Sequence, residues 1–386
     1  MYKIRLYNKI SQNGLSRFAP DAFTYDDTME EYDGIMVRSA ALHEVAFPES
    51  LLAIARAGAG VNNIPVDDCA KKGIVVFNTP GANANAVKEL VLAGLFLASH
   101  DVVGGIEWAK TLDGQTGVAK LVEKGKGAFA GPELAGKTLG VIGLGAIGAM
   151  VANAAVHLGM HVMGYDPYIS VKSAWSLDRR IVHAMNVEDI YKNCDYISVH
   201  VPLMDATRGM IGTDALALCK DGVRLLNFSR AALVDTDALK AGLESGKVAR
   251  YVTDFPDENV LTLGNVVPIP HLGASTPESE ENCATMAAQE LNDYLLYGNI
   301  VNSVNFPNVE MAPAGVPRIC IIHENKPTMI SQYTTLFGDK GVNIENLLNK
   351  SKGDYAYTLL DVEKADEDTV NALKAIDGVI RVRVIE

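Results

Sequence analysis

Val141-Ile142-Gly143-Leu144-Gly145-Ala146-Ile147-Gly148 decides the fold of this 386-residue chain. The apolar run Thr138–Ile142 reads as a buried strand, and the small and apolar residues that continue to Leu158 carry the period of a helix. Strand, G-x-G-x-x-G turn and helix, in that order, form the cradle a dinucleotide needs. Gly143 permits the tight turn, Gly145 lets a pyrophosphate approach bare backbone, and Gly148 lets the helix close on the strand. The helix start, at Ala146 and Ile147, offers unpaired N–H groups and partial positive charge to the phosphates. His161–Tyr165 reads as the next strand and Asp166 ends it, 18 residues beyond Gly148. That is close to the ~20 expected for the ribose-binding acid. A carboxylate there accepts hydrogen bonds from the ribose hydroxyls and repels a 2′-phosphate, so the expected cofactor is NAD rather than NADP.

The chain is too long for one ordinary domain, and two or three are expected. Hydrophobic residues make up 48%, enough for sizeable cores, and the net charge of −13 argues against nucleic acid or an acidic membrane surface as partner. No transmembrane run is visible, and Met1-Tyr2-Lys3-Ile4-Arg5 lacks the apolar core of a signal peptide. The five cysteines, Cys69, Cys194, Cys219, Cys283 and Cys320, are scattered, odd in number and without a C-x-x-C pair. They point to core thiols in a reducing, cytoplasmic compartment, and no metal-ligand cluster is expected.

Outward from the glycine turn, residues 1–98 alternate short apolar runs with helical stretches, with strands expected at Lys3–Tyr7, Gly34–Val37, Ala53–Ala57 and Ile74–Phe77. Two turns at strand ends, Val37-Arg38-Ser39 and Gly58-Ala59-Gly60-Val61, are candidate substrate contacts, because open parallel sheets bind ligands at their carboxyl edge. Arg38 suits a carboxylate or a phosphate. A long apolar helix follows at Ala86–Ala98, then a Gly- and Lys-rich arm over 110–136, read as a solvated face. Beyond the glycine turn, strands are expected at Ile181–Ala184, Tyr196–His200, Arg224–Asn227, Arg250–Thr253 and Val266–Pro268, with helices between most of them: a doubly wound sheet. An amphipathic helix, Glu280–Tyr297, could return the chain to the first unit. A proline-bearing linker then leads to Arg318–Glu386, whose order β-α-β-β-α-β is that of a ferredoxin-like unit.

A nicotinamide-dependent oxidation of a hydroxy acid needs a cation for the carboxylate and the reacting oxygen, a group that exchanges the hydroxyl proton, and a partner that orients that group. Arg230 follows a buried strand in Asn227-Phe228-Ser229-Arg230. His271 follows another in Pro270-His271-Leu272-Gly273, with Glu258 thirteen residues before it. A carboxylate on His271 would hold one tautomer and favour the protonated ring.

These residues identify a resemblance to the D-isomer-specific 2-hydroxyacid dehydrogenases, within the branch acting on phosphoglycerate and carrying an ACT domain. It runs through Val37-Arg38-Ser39, Asn78-Thr79-Pro80, Gly143-Leu144-Gly145-Ala146-Ile147-Gly148, Gly164-Tyr165-Asp166-Pro167, His200-Val201-Pro202-Leu203, Asn227-Phe228-Ser229-Arg230, Pro270-His271-Leu272-Gly273-Ala274-Ser275-Thr276 and Val304-Asn305-Phe306-Pro307. The resemblance implies a Rossmann NAD domain (99–282) inserted in a flavodoxin-like substrate domain (1–98 and 283–306), a linker (307–317) and a ferredoxin-like ACT domain (318–386). It implies Arg230, Glu258 and His271 as the catalytic trio. Cofactor contacts would come from the glycine turn, Asp166, His200, Val201, Pro202, Thr207, Asn227, Phe228, Ser229, Asp254, His271 and Gly273. Substrate contacts would come from Arg38, Ser39, Gly58, Gly60, Val61, Arg230 and His271. The implied reaction is oxidation of 3-phosphoglycerate to 3-phosphohydroxypyruvate by a homo-oligomer, the first step of serine synthesis. L-serine would be the effector, held by His323, Asn325 and Asn343.

Three departures stand out. The usual Asp-Val-Phe-x-x-Glu-Pro becomes Asp254-Phe255-Pro256-Asp257-Glu258-Asn259, one residue short, which keeps Asp257 as a rival to Glu258. The second cation expected after Arg38 is replaced by Ala40 and Ala41, which leaves the phosphate to Arg38, backbone amides and a lysine of the 120–126 arm. Thr328 stands where a glycine would let the effector approach. Two other functions remain open: a dehydrogenase for an unphosphorylated D-2-hydroxy acid, and a non-catalytic NAD-sensing interaction protein.

Overall fold

The computed structural model describes residues 1–386, the side chain of Lys172 excepted. Two compact units divide it, one made of 1–82 and 277–386, the other of 83–276.

The first unit begins with β1 (Tyr2–Tyr7), β2 (Phe23–Asp26), β3 (Gly34–Val37), β4 (Ala53–Arg56) and β5 (Val75–Asn78). All pair in parallel, in the order β2-β1-β3-β4-β5, the flavodoxin-like arrangement. The four residues of β3 are all buried, as a parallel strand covered on both faces requires. The helix Pro277–Tyr297 returns to this sheet and buries Ala284, Ala287, Leu291 and Leu295 in the same core as Ile4, Met36 and Ala55. Gly14 lies so close to this helix that a β-carbon there would meet Ala284 at 2.5 Å. Asn305 closes the β5 edge: its side-chain oxygen accepts from the Val76 N–H and its amide donates to the Ile74 carbonyl, both at 2.9 Å.

The second unit holds β6 (Thr138–Ile142), β7 (His161–Tyr165), β8 (Val182–His183), β9 (Tyr196–Val199), β10 (Val223–Asn227), β11 (Val248–Thr253) and β12 (Val266–Pro268). They form a parallel sheet in the order β12-β11-β10-β9-β6-β7-β8, so the strand order reverses beside β6, at the glycine turn. Helix Ala84–Ser99 belongs to this unit, upstream of the boundary expected at 98/99: Gly94 lies against the ring of Phe228, and Ser99 bonds the Tyr196 hydroxyl at 2.7 Å. The arm after it is helical, at Val102–Lys110 and Val118–Gly125, and neither helix buries a residue. Both helices are solvated, and Val102, Val103, Ile106 and Val118 are exposed apolar residues on them.

The C-terminal residues form a separate antiparallel sheet of β13 (Arg318–Glu324), β14 (Ile344–Lys352), β15 (Tyr355–Val362) and β16 (Val379–Ile385), ordered β14-β15-β13-β16, with helices Met329–Asp339 and Glu367–Lys374. This is the ACT-like β-α-β-β-α-β unit. One face packs Ile319, Ile321, Tyr333, Phe337 and Leu360 under its own helices. The other contributes Cys320, Ile322, Tyr357 and Leu359 to the core that holds Tyr294. Arg383 donates to the carbonyls of Tyr294 and Leu295 at the end of helix Pro277–Tyr297 and lies over the Tyr294 ring, and Arg318 is buried in a two-bond pair with Asp361. Within the first unit, Arg383 and the bond from Arg318 to the Tyr297 carbonyl join the ACT-like sheet to helix Pro277–Tyr297. No single helix among the described residues is long and apolar enough to cross a membrane. The five cysteines are buried and free.

Candidate active site

The cofactor cradle is built from three glycines in three different situations. Gly143 has φ +92°, and a β-carbon on it would meet the His200 carbonyl oxygen at 2.5 Å. A β-carbon on Gly148 would lie 1.9 Å from the Gly143 carbonyl oxygen, so the helix can close on the turn only without one. Around Gly145 there is open space within 4 Å, and helix Ala146–His157 starts there with no side-chain cap. An open approach to uncapped N–H groups is what a pyrophosphate requires.

Asp166 works inward as well. One carboxylate oxygen accepts from the Leu144 N–H at 2.8 Å and the other from the Tyr168 N–H at 2.9 Å. It therefore ties the glycine turn to β7, and each oxygen keeps a second lone pair for a ribose hydroxyl.

Other predicted contacts are largely committed to the protein. The Thr207 hydroxyl donates to the Pro202 carbonyl at 2.7 Å and accepts from the Met204 N–H at 2.9 Å, so it shapes the loop after β9. Val201 packs against the core under this loop. His200 bonds Ser198 at 2.8 Å through Nε2, while its buried Nδ1 has no partner; burial pushes its pKa down to about 4, which keeps the ring neutral. Phe228 is buried, which leaves its backbone for a ligand. The Ser229 hydroxyl donates to the Val199 carbonyl at 2.8 Å.

Chemistry gathers around Asp254, at the end of β11 and 2% exposed. Burial raises its pKa, while the charges of His271 and Arg230 and the Gly273 N–H pull it back down. Arg230 follows β10, Asp254 follows the neighbouring β11, and the His271 N–H lies on the Asp254 carbonyl, so the three share the carboxyl edge of the sheet. Asp254 Oδ1 is buried without a partner, in the position of an acceptor awaiting a ligand donor. That atom and the space at Gly145 fit the residues to a nicotinamide dinucleotide, whose carboxamide and pyrophosphate would satisfy them.

His271 has φ +42°, a left-handed conformation for a non-glycine residue. Its N–H is shared between the carbonyls of Asp254 (3.1 Å) and Ile269 (3.0 Å), and its exposed ring lies 4.7 Å from that of Phe255. Such strain is characteristic of functional sites. Arg230 is exposed, with Nη1 donating to the Ser229 carbonyl at 2.6 Å. The expected acid–imidazole pair is not formed: Glu258 is exposed and makes no hydrogen bond or ion pair, because the short loop after Asp254 turns it to solvent. Asp257 is occupied, accepting the N–H groups of Asn259 (3.0 Å) and Val260 (2.8 Å) to start a 3-10 turn.

In the first unit, the ends of β3 and β4 carry the predicted substrate residues. Arg38 pairs with Glu280 at 2.6 Å. The Ser39 N–H is held by Asn8 at 2.9 Å, which leaves the hydroxyl. Sequence reasoning missed Arg56, the last residue of β4. Its Nε donates to the Arg38 carbonyl at 3.1 Å, and its guanidinium fills the hollow of the Gly58 turn, 2.2 Å from where a β-carbon would stand. Burial and the neighbouring Arg38 pull its pKa down. Gly60 lies beside the same guanidinium, and Val61 packs into the core behind it. The signal was an arginine ending an otherwise apolar strand just before a double-glycine turn.

In the ACT-like sheet, His323 is interior. Its Nδ1 meets the Glu324 carbonyl at 2.8 Å, and its Nε2 meets Thr358 (2.9 Å) and Asn349 (3.2 Å). Burial lowers its pKa. Asn325 and Asn343 are exposed, bonded to the Gly353 carbonyl (3.1 Å) and to Glu345 (2.8 Å). The predicted effector residues do not share one open face, because His323 has partners for both ring nitrogens inside the fold.

The family model for the D-isomer specific 2-hydroxyacid dehydrogenase NAD binding domain matches residues 108–273. A protein from Methanocaldococcus jannaschii named D-3-phosphoglycerate dehydrogenase is 37% identical over 298 residues, covering 75% of this chain and 55% of that protein's length. The Escherichia coli (strain K12) protein of that name is 34% identical over 352 residues, covering 87% of this chain and 82% of its own length. The solved structure of cofactor (NAD+)-bound 3-phosphoglycerate dehydrogenase from Entamoeba histolytica has a TM-score of 0.58 at 25% identity, covering 79% of this chain and 98% of that one. This chain belongs to the D-isomer-specific 2-hydroxyacid dehydrogenase family. It is an oxidoreductase of that class, with NAD as its cofactor.

Proposed function

We propose that this protein oxidises 3-phospho-D-glycerate to 3-phosphohydroxypyruvate, with Arg230, His271 and Glu258 as its catalytic residues. The observation that carries the reading is the shared sheet edge of Arg230, the buried Asp254 and His271, set at the ends of neighbouring strands. NAD, when bound, supplies the hydride acceptor. Asp254 and Gly273 hold the nicotinamide end, Asp166 the ribose, and the turn from Gly143 to Gly148 the phosphates. Arg230 pairs with the substrate carboxylate and polarises the reacting C–O bond. His271 Nε2 takes the hydroxyl proton, and in the reverse direction returns it. Glu258 is the dyad acid, because Asp257 is committed to its turn and Glu258 is free to reach the ring once substrate is present. Arg38, Arg56, Ser39 and the turn from Gly58 to Val61 bind substrate, the two guanidiniums taking its anionic end.

A second reading, an unphosphorylated D-2-hydroxy acid, is favoured by one observation: Glu280 already neutralises Arg38, which leaves Arg56 as the surplus charge of that cluster. NADH formation followed at 340 nm with 3-phosphoglycerate and with D-glycerate separates the two. The first reading expects the higher kcat/KM with 3-phosphoglycerate; the reverse order overturns it. His271→Asn should lower kcat by about 10²–10⁴-fold if the ring is the proton acceptor.

The exposed Val102, Val103, Ile106 and Val118 favour a homo-oligomer through the helical arm, and the free thiols favour a cytoplasmic setting. L-serine is the effector this reading assigns to the ACT-like unit, through the exposed Asn325 and Asn343. Titration calorimetry showing no heat at millimolar serine removes it.

A further inference from the structure

We propose that Tyr251 is a positioning residue for Arg230, acting through the side chain of Asn227. The inference rests on the reading of Arg230 given above. Arg230 begins a short 3-10 turn, Ala231–Leu233, directly after β10. Its guanidinium is exposed, so nothing in the packing of its own side chain fixes it. Behind the turn lies a cavity of about 330 Å³, lined by Ala231, Ala232, Tyr251, Phe255 and Asp257 among others. Leu233 anchors the far end of the turn in the core, but apolar packing does not brace the Arg230 end, beside the exposed Ala231. Hydrogen bonds do.

The brace is the Asn227 side chain, 1% exposed. Its amide nitrogen donates to the Arg230 carbonyl at 2.9 Å, and its oxygen accepts from the Ser229 N–H at 3.1 Å. These two bonds fold the Asn227–Arg230 segment into the turn that aims Arg230. The second proton of the same amide nitrogen goes to the Tyr251 hydroxyl at 3.2 Å. Tyr251 is buried on β11, one strand over, on the strand that leads to Asp254. A phenol on that strand thus takes part in the turn of Arg230.

Without the hydroxyl, one N–H of a buried amide has no acceptor. A buried donor left unpaired is costly, and the side chain can relieve it by rotating. Rotation gives up the bond to the Arg230 carbonyl, and the turn loosens. The deficit then falls on the recognition of the hydroxy acid that Arg230 serves, not on the glycine turn at β6.

Tyr251→Phe tests this, because it removes one oxygen and keeps the ring. The expected result is a fall of about three- to tenfold in kcat/KM for the hydroxy acid, the range one neutral hydrogen bond commands. The pH midpoint of kcat should be unchanged. In an Arg230→Lys background the same change should have no further effect on kcat/KM, since residues acting as a unit are not additive. Unaltered kcat/KM in Tyr251→Phe, or an equal fall in the Arg230→Lys background, overturns the inference, whatever happens to the melting temperature. A wild-type protein that binds NAD yet reduces it with no 2-hydroxy acid removes the functional reading first, a result distinct from an active wild type with an indifferent Tyr251→Phe.

Discussion

Glu290 offers a quantitative check on the first unit. It lies on the inner side of helix Pro277–Tyr297, buried, with one oxygen accepting from the Asn302 amide at 2.8 Å and Oε2 without a partner. Burial pushes its pKa from an ordinary 4.5 up to about 8. A carboxyl raised in this way is preferred protonated by the folded state. Its stabilising contribution is fully present below pH 4.5, declines as pH rises, and is gone above about pH 8. The gap of 8 − 4.5 = 3.5 pH decades, at 1.36 kcal/mol each, caps the loss at about 5 kcal/mol. Water penetration on ionisation reduces that, and about 2–4 kcal/mol is the expected span.

Glu290→Gln is the control, because the amide imitates the protonated acid and keeps an acceptor for Asn302. Urea unfolding of both proteins at pH 5.5, 7 and 8.5 should show the wild type losing about 1–3 kcal/mol relative to the variant across that range, since part of the full span is already lost by pH 5.5. Asp293, raised by burial and by Glu310, titrates in both proteins and cancels in the difference, as do the histidines. A difference that stays flat with pH, or grows in favour of the wild type, would refute the argument from burial.

Two further outcomes bear on the site and on the ACT-like sheet. Asp166→Ala removes a ribose acceptor, the bond to the Leu144 N–H and the charge opposed to a 2′-phosphate, so the ratio of kcat/KM for NAD to that for NADP should fall at least about tenfold; an unchanged ratio removes Asp166 from cofactor selection. Thr328 holds φ +70° at the start of helix Met329–Asp339, a conformation that costs a β-branched residue about 1–2 kcal/mol. Thr328→Gly should therefore raise the melting temperature or leave it level, and a clear drop would show that the threonine side chain contributes more than its backbone strain takes away.

The parts of the fold that rest on local pattern could be read directly from the chain. Thr138–Ile142 and His161–Tyr165 are strands with the expected bounds, since a run of apolar residues closed by glycine or charge admits few other conformations. Phe23-Thr24-Tyr25-Asp26 went unread as a strand because it is a half-exposed edge strand with a polar end. Helix Ala84–Ser99 was legible as a helix but not as a member of the second unit. An apolar helix declares that it is buried, not which sheet buries it; contact with Phe228, well over a hundred residues away, decides that.

The site divides along the same line. Glycines 143, 145 and 148 announce themselves because their function is the absence of a side chain, a property that needs no partner. Arg230 and His271 were found because each follows a strand and so reaches the same sheet edge. What could not be read is pairing. His323 has the look of a binding residue in sequence, yet its partners Asn349 and Thr358 come from β14 and β15 and make it part of the interior. Glu258 has the spacing of a dyad acid, yet a loop one residue short leaves it in solvent while Asp257 makes the local turn. Arg56 shows the converse, a strand residue brought beside Arg38, a neighbour 18 residues before it in the chain. Side chains acquire roles from contacts between strands, and contact is what a linear pattern does not contain. By that reasoning a residue such as Tyr251, apolar in pattern and buried in place, can govern Arg230 without any motif to mark it.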